Sequence, residues 1–269
     1  MVWAYASLRR TRRSYISQKV NAMSEPTVYT SMCWSIPILY EDNHLLVAVK
    51  PPNLPAQADS SGDADMLTLL KGYIKEKYEK PGSVYLGLVH RLDRPVGGVM
   101  VFARTSKAAA RLSKTFAQHA QERRYLCVLE GALDGPRTLE DHLRKDPATG
   151  MVRVVDADAP GAKYARLDTR PLACRDGLTL AEARLHTGRA HQIRVQHAAA
   201  GFPLWGDNRY GRGRPGQQIA LWAAALIVKH PTKDQVLRFV DTPKAAGAWK
   251  GFESEIGEWE REMRGDVRS

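Results

Sequence analysis

The sequence predicts an α+β fold: a mixed, mainly antiparallel sheet core with flanking helices. Three observations carry this. Short apolar runs rich in β-forming residues recur along the chain, few segments of helical period stand between them, and no internal repeat interrupts the pattern.

Ile36 to Tyr40 and His44 to Lys50 read as strands separated by the turn-like Glu41-Asp42-Asn43. Lys50-Pro51-Pro52-Asn53-Leu54-Pro55 must be a loop. Asp63 and Asp65 then precede Leu67, Leu70, Ile74 and Tyr78, which share one face of an amphipathic helix. Val99 to Ala103 reads as a buried strand. Thr105 follows as an N-cap, with Ala108, Leu112 and Phe116 marking the inner face of the next helix. Tyr125 to Leu129, Val152 to Val155, Ala162 to Thr169, Leu178 to Leu185 and Val236 to Val240 are further strands. The apolar run Ile219 to Val228 reads as core.

Three segments result. Residues 1–34 form a basic extension expected to be disordered, 35–245 a catalytic domain, and 246–269 a helical tail carrying Trp249, Phe252 and Trp259. In the extension, Arg9, Arg10, Arg12, Arg13 and Lys19 precede the first acidic residue, Glu25, with serines interleaved. That composition fits an organellar transit peptide. The other reading is an extension ahead of a start at Met23 or Met32. The corresponding expectations for location are the mitochondrion and the cytoplasm.

The 269 residues are 43% hydrophobic, enough for a buried core, and no stretch approaches the roughly 18 apolar residues of a membrane span. Net charge is +11, which points to an anionic partner. Arg184, Arg189, Arg194, Arg209, Arg212 and Arg214 fall close together with only Asp207 among them. Gly188, Gly201, Gly206, Gly211 and Gly213 make this stretch loop-rich, so it suits a phosphate backbone rather than a membrane-surface helix. The three cysteines have no CxxC spacing, and their odd number argues against a disulfide framework and a thiolate zinc site.

Three motifs carry chemistry. In His90-Arg91-Leu92-Asp93-Arg94-Pro95-Val96-Gly97-Gly98 a carboxylate lies between two arginines, and cations favour the ionised form that a nucleophile requires. A salt-bridged Asp in a turn explains the same residues and, for an isolated Asp, is the commoner case. The second motif runs from Leu185 to His197: a strand end, a Thr187-Gly188 turn, and a helix reaching a cap at Gly201. His186, His191 and His197 suggest a metal, but Arg189 and Arg194 on the same segment repel a cation and no acidic ligand is interspersed, so no metal is expected. In the third, Glu122-Arg123-Arg124-Tyr125-Leu126-Cys127-Val128, basic residues run into a strand bearing a tyrosine. That ring is either core or a platform for a nucleic-acid base.

Taken together and in this order, His90 to Asp93 with its glycine pair, the Tyr125 strand, and Thr187-Gly188-Arg189-Ala190-His191-Gln192-Ile193-Arg194 resemble the RluA-type pseudouridine synthases. Ile38 to Asp42, Lys50-Pro51, Gly206 to Gly211 and His230-Pro231 agree, so the likeness covers about residues 36 to 242. The resemblance implies an enzyme that isomerises uridine to pseudouridine in ribosomal or transfer RNA, acting as a monomer without cofactor, metal or membrane. It implies Asp93 as the catalytic nucleophile, Arg194 as its charged partner, and Tyr125 stacked on the uracil and assisting proton removal at carbon 5. Arg91 is expected to fill the place of the extruded nucleotide. Arg94, Arg189, His191, Gln192, Arg209, Arg212 and Arg214 are expected to contact RNA. Relatives often carry an S4 domain before the catalytic one, for which the residues ahead of Ile36 are too few. Two departures stand out: Val96-Gly97-Gly98 replaces the family's Thr-Ser-Gly, and Trp222 replaces a His. The rival reading is a catalytically silent RNA-binding protein on the same scaffold, which the joint presence of Asp93, Tyr125 and Arg194 disfavours.

Overall fold

The computed structural model describes residues 27–31 and 33–265. Twelve strands are described: β1 (Thr27–Ser31), β2 (Trp34–Glu41), β3 (Leu45–Lys50), β4 (Gly87–Leu88), β5 (Gly97–Ala103), β6 (Glu122–Glu130), β7 (Arg137–Lys145), β8 (Val152–Val155), β9 (Lys163–Arg175), β10 (Leu178–Leu185), β11 (Leu221–Lys229) and β12 (Val236–Val240). They form one sheet in the order β1-β2-β3-β5-β11-β6-β10-β9-β7-β8, with β4 added to β5 and β12 to β11. Among the described residues the pairings are antiparallel except β5 with β11. The α+β architecture with a mixed, mainly antiparallel sheet is therefore observed. Four helices flank it: α1 (Met66–Lys77), α2 (Ser106–Ala117), α3 (Gln192–Ala199) and α4 (Glu253–Arg264).

The side-chain alternation of the central strands explains the layers. On β6, Tyr125, Cys127 and Leu129 point into the cluster that holds Ile193 and Leu92, while Leu126 and Val128 point to the other face. There Ile256, Trp259 and Met263 of α4, spaced at helical period, close the core. Strands β3 and β5 are buried along their whole length, which is why they read as unbroken apolar runs. Asp65 caps α1 through the Thr68 amide and Thr105 caps α2 through the Ala108 amide.

Several expectations need correction. The sheet begins before residue 35, because Thr27–Ser31 pairs with β2 from Thr27 opposite Ile38 to Ser31 opposite Trp34. The disorder and targeting readings of residues 1–26 lie outside the described residues. Strand β7 carries five charges and a histidine and buries only Leu143, so it lacks an apolar signal. The run 219–228 is core, as expected, and is mostly strand β11; burial on both faces erases the alternation that would distinguish strand from helix. The inner face of α1 is Met66, Leu69, Leu70, Tyr73 and Ile74, whereas Tyr78 is exposed and ties to Glu41 and Arg104.

Candidate active site

Asp93 sits on the loop between β4 and β5. Leu92 and Val96 bury their side chains on either side of it, and the Val96 amide donates to the Asp93 carbonyl at 3.0 Å to close a turn. Lys50, fully buried at the end of β3, supports this turn. Its Nζ donates to the carbonyls of Pro51 (3.0 Å), Leu54 (2.6 Å) and Arg94 (3.0 Å), joining the proline loop to the Asp93 loop. Burial draws the Lys50 pKa down to about 7, against the pull of Asp93. Arg94 turns away from Asp93: it pairs with Asp63 and Asp59 and donates to Ser61 Oγ at 3.1 Å. It therefore anchors the acidic loop 59–63 in this structure, instead of presenting the unpaired cation expected of an RNA contact.

The two departures from the resemblance prove to be one feature. β5 and β11 run parallel with Gly97 beside Trp222, and a Cβ at Gly97 would lie 2.2 Å from the indole ring. The indole occupies the space that a serine would need. Gly98 has φ +123, and its Cβ would fall 2.3 Å from the Ala223 carbonyl oxygen, so only glycine fits.

Arg194 is buried on α3, with 5% of its surface accessible. Its Nε and Nη2 donate to Asp207 Oδ2 (2.8 Å) and Oδ1 (2.7 Å), and Nη1 faces Asp93 Oδ2 at 3.3 Å. The guanidinium thus bridges two carboxylates, with the planar fork spent on Asp207. Burial raises the Asp207 pKa, but the hydrogen-bonded Arg194 and the Arg209 and Tyr210 amides outweigh it and hold the carboxyl below its usual range. Burial likewise works against the charge of Arg194, and its bonds to Asp207 and proximity to Asp93 more than offset it. The Tyr210 ring covers the guanidinium at 5.1 Å. His191 Nε2 lies 3.8 Å from the same Asp93 oxygen.

Tyr125 lies on the sheet face that carries Ile193 and Leu92, and burial raises its phenol pKa while Arg123 opposes. Arg123 and Arg124 point to opposite faces, as strand alternation demands. Arg124 pairs with Glu122 and Glu182 on the far face. Arg123 lies under the Thr187–Gly188 turn, donating to the Thr187 carbonyl at 3.0 Å, and its buried Nε has no partner among the described residues.

Of the remaining expected site residues, Arg91, Arg209, Arg212 and Arg214 are exposed, and Arg189 donates to the Tyr164 carbonyl at 2.8 Å. Gln192 is a correction. It is 3% accessible; its Oε1 accepts from Thr187 Oγ1 and the Arg189 amide, and its Nε2 donates to the Arg166 carbonyl and Gln196, so it holds the turn and cannot meet RNA. The three histidines diverge: His186 meets Asp168, His191 meets Tyr210, and His197 meets the Ile193 carbonyl and Thr169. Sequence reasoning missed the roles of Asp207, Lys50 and Tyr210. Their signals, an Asp in the basic stretch and a Lys-Pro pair, name residue types without naming their partners. A cleft of about 360 Å³ lined by Asn53, Arg94, Arg194, Asp207 and Gln218 opens beside the Asp93 loop.

Residues 44–199 match the family described as RNA pseudouridylate synthase. The RNA pseudouridine synthase YhcT of Bacillus subtilis is 33% identical over 205 residues, covering 74% of this chain and 66% of that protein. Ribosomal large subunit pseudouridine synthase D of Zymomonas mobilis is 33% identical over 218 residues, covering 75% and 67%. This chain thus spans about two thirds of the length of these curated relatives. Among solved structures, Human RNA Pseudouridylate Synthase Domain Containing 4 shares the fold with a TM-score of 0.63 at 22% identity, covering 76% of this chain and 87% of that one.

Proposed function

The chain belongs to the RNA pseudouridylate synthase family, and from that premise we propose that it isomerises uridine to pseudouridine in RNA, with the Asp93 carboxylate as the nucleophile. The observation that carries this reading is the Asp93–Arg194–Asp207 arrangement: one carboxylate saturated by the guanidinium fork, the other touched on a single oxygen at 3.3 Å and left 28% exposed. A carboxylate with one oxygen free of donors among the described residues is available to attack a substrate.

The bond from the ribose C1′ to uracil N1 breaks, the uracil turns, and C5 bonds to C1′. The C5 proton leaves and N1 gains one, so product and substrate have the same formula and no co-reactant is required. Asp93 supplies the carboxylate that attacks, the bond it forms is broken again before the product leaves so that the free carboxylate returns, and Arg194 fixes its orientation. Tyr125 is a phenol whose pKa burial raises further, and its ring serves first as the platform beside the uracil. The target nucleotide leaves its stack to reach Asp93, and the exposed Arg91 takes the vacated place. Arg209, Arg212 and Arg214 meet phosphates along the approach.

Relatives named for the ribosomal large subunit make its RNA the first substrate to test, with transfer RNA second. The experiment is pseudouridine mapping of both RNAs after incubation with wild type and with Asp93→Asn. Wild type creates new pseudouridine at defined positions. Asp93→Asn, nearly the same size but no nucleophile, falls by at least about 10³-fold while still binding RNA. Wild-type turnover by Asp93→Asn would remove Asp93 from the chemistry. Binding without any modification by wild type would favour the silent RNA-binding protein.

A further inference from the structure

Asp93 has a second neighbour, His191, whose ring lies between Asp93 and Tyr210. The Val152 amide, on β8, donates to the Tyr210 phenol oxygen at 3.0 Å. His191 Nδ1 lies 2.6 Å from the same phenol, which holds one proton and a second lone pair; donation of that proton to Nδ1 is the direction that leaves Nε2 a proton to offer Asp93. An Nδ1 that accepts this proton belongs to the neutral ring protonated on Nε2. That Nε2–H is the atom lying 3.8 Å from Asp93 Oδ2. Arg194 Nη1 approaches the same Oδ2 at 3.3 Å. Two donors converge on one carboxylate oxygen, and among the described residues none is found on Oδ1.

The backbone agrees with this reading. His191 has φ 51, a left-handed conformation that non-glycine residues seldom adopt. This conformation places the ring between Tyr210 and Asp93 just ahead of α3. Burial lowers the His191 pKa, and the nearby cations Arg194, Arg209 and Lys145 lower it further, against Asp93. The ring is therefore kept neutral, as the assigned tautomer requires.

We propose that His191 is a positioning residue for Asp93: its Nε2–H, set by the Val152–Tyr210 hydrogen bonds, fixes Oδ2 together with Arg194 and turns Oδ1 toward the substrate. This rests on the reading of Asp93 as the nucleophile. It departs from the expectation that His191 touches RNA. The 3.8 Å gap closes when substrate enters, since contacts in unliganded sites commonly tighten on binding.

Two substitutions separate the roles. Asn tolerates the left-handed backbone well, but its short amide reaches only the Nδ1 position and cannot meet Asp93. Gln carries an amide NH₂ out to the Nε2 position. His191→Asn and His191→Gln are compared with wild type in single-turnover reactions and direct binding on an unmodified large-subunit ribosomal RNA transcript. His191→Asn slows the reaction by about tenfold or more, the factor expected for losing one hydrogen bond to a charged group. His191→Gln keeps most of the rate, and both bind RNA as wild type does. Weak binding with a normal rate once bound would make His191 an RNA contact, and equal losses in both variants would remove the donor role. ¹⁵N NMR of histidine-labelled free wild type provides a readout independent of activity. A neutral ring with Nε2 protonated is expected, and protonation at Nδ1 would overturn the proposal even if the transcript were not a substrate.

Discussion

Glu182 and Asp93 are both carboxylates set among arginines, on opposite sides of the same sheet, and they differ in how many donors each receives. Glu182 is 4% exposed and accepts from Arg124 at 2.9 Å, Arg170 at 3.1 Å and the Trp259 indole. Both oxygens are engaged, and the group ties β6, β9 and α4 together. Asp93 is 28% exposed, with a single hydrogen bond among the described residues, at 3.3 Å on one oxygen. A saturated carboxylate is a structural joint, while a carboxylate held by one oxygen is oriented yet still available. Charge alone does not separate the two cases: both sequences read as an acid near arginines.

The most severe way to break this contrast is through Arg194. Its fork belongs to Asp207 and its remaining nitrogen to Asp93, so a substitution strikes a structural joint and the proposed nucleophile together. Arg194→Lys keeps the charge but loses the fork. We expect single-turnover rates to drop about ten- to a hundredfold with RNA affinity unchanged, the cost of a lost hydrogen bond to a charged group. Weaker RNA binding with a normal rate would recast Arg194 as a phosphate clamp.

Acid unfolding sharpens the other half. Burial raises the Glu182 pKa, but Trp259, Arg170 and Arg124 more than compensate, so the folded value lies below the ordinary 4.5. A depressed carboxylate contributes stability that is present above its unfolded pKa and is lost as pH falls through the folded value. Glu182→Gln should therefore cost about 2–3 kcal/mol near pH 7. The difference from wild type should shrink as pH falls below about 4.5. Denaturant melts at pH 7 and pH 3.5 check this. A difference independent of pH would mean that the ion pairs contribute nothing.

The smallest effect concerns the exposed loop. Arg209, Arg212 and Arg214 are proposed to meet phosphates only, so their combined replacement by alanine should leave the bound reaction rate intact. The salt dependence of RNA binding should become shallower by about 2, at roughly 0.7 per lost contact on a single strand. An unaltered slope would place the RNA path elsewhere.

What the sequence made legible follows the same line between residue type and partner. The caps at Asp65 and Thr105 and the buried face Ala108, Leu112 and Phe116 were readable because capping and helical period are local. The order of motifs was enough to identify the family. Strand β7 was not readable because its charged residues are exposed or half-exposed and it buries only Leu143, and β11 was not because burial on both faces hides its period. At the site, Asp93 and Arg194 meet as the resemblance implied, yet the main partner of Arg194 is Asp207, thirteen residues along the chain. Gln192 and Arg94 lie in motifs that suggest RNA contact, but one is buried in a turn and the other is bound to Asp59 and Asp63. Which donors reach which oxygen is decided by tertiary packing, and local sequence does not encode it.

The central claim is that the partly satisfied carboxylate carries the chemistry and the saturated one carries the fold. The most direct test pairs Asp93→Asn with Glu182→Gln, measuring for each the single-turnover yield of pseudouridine on an RNA that wild type modifies and the free energy of unfolding at pH 7. The account predicts a crossed result: Asp93→Asn folds within about 1 kcal/mol of wild type and forms no pseudouridine, while Glu182→Gln is destabilised yet reacts at nearly the wild-type rate wherever it remains folded. An active Asp93→Asn, or a folded Glu182→Gln that binds RNA and does not react, would contradict it.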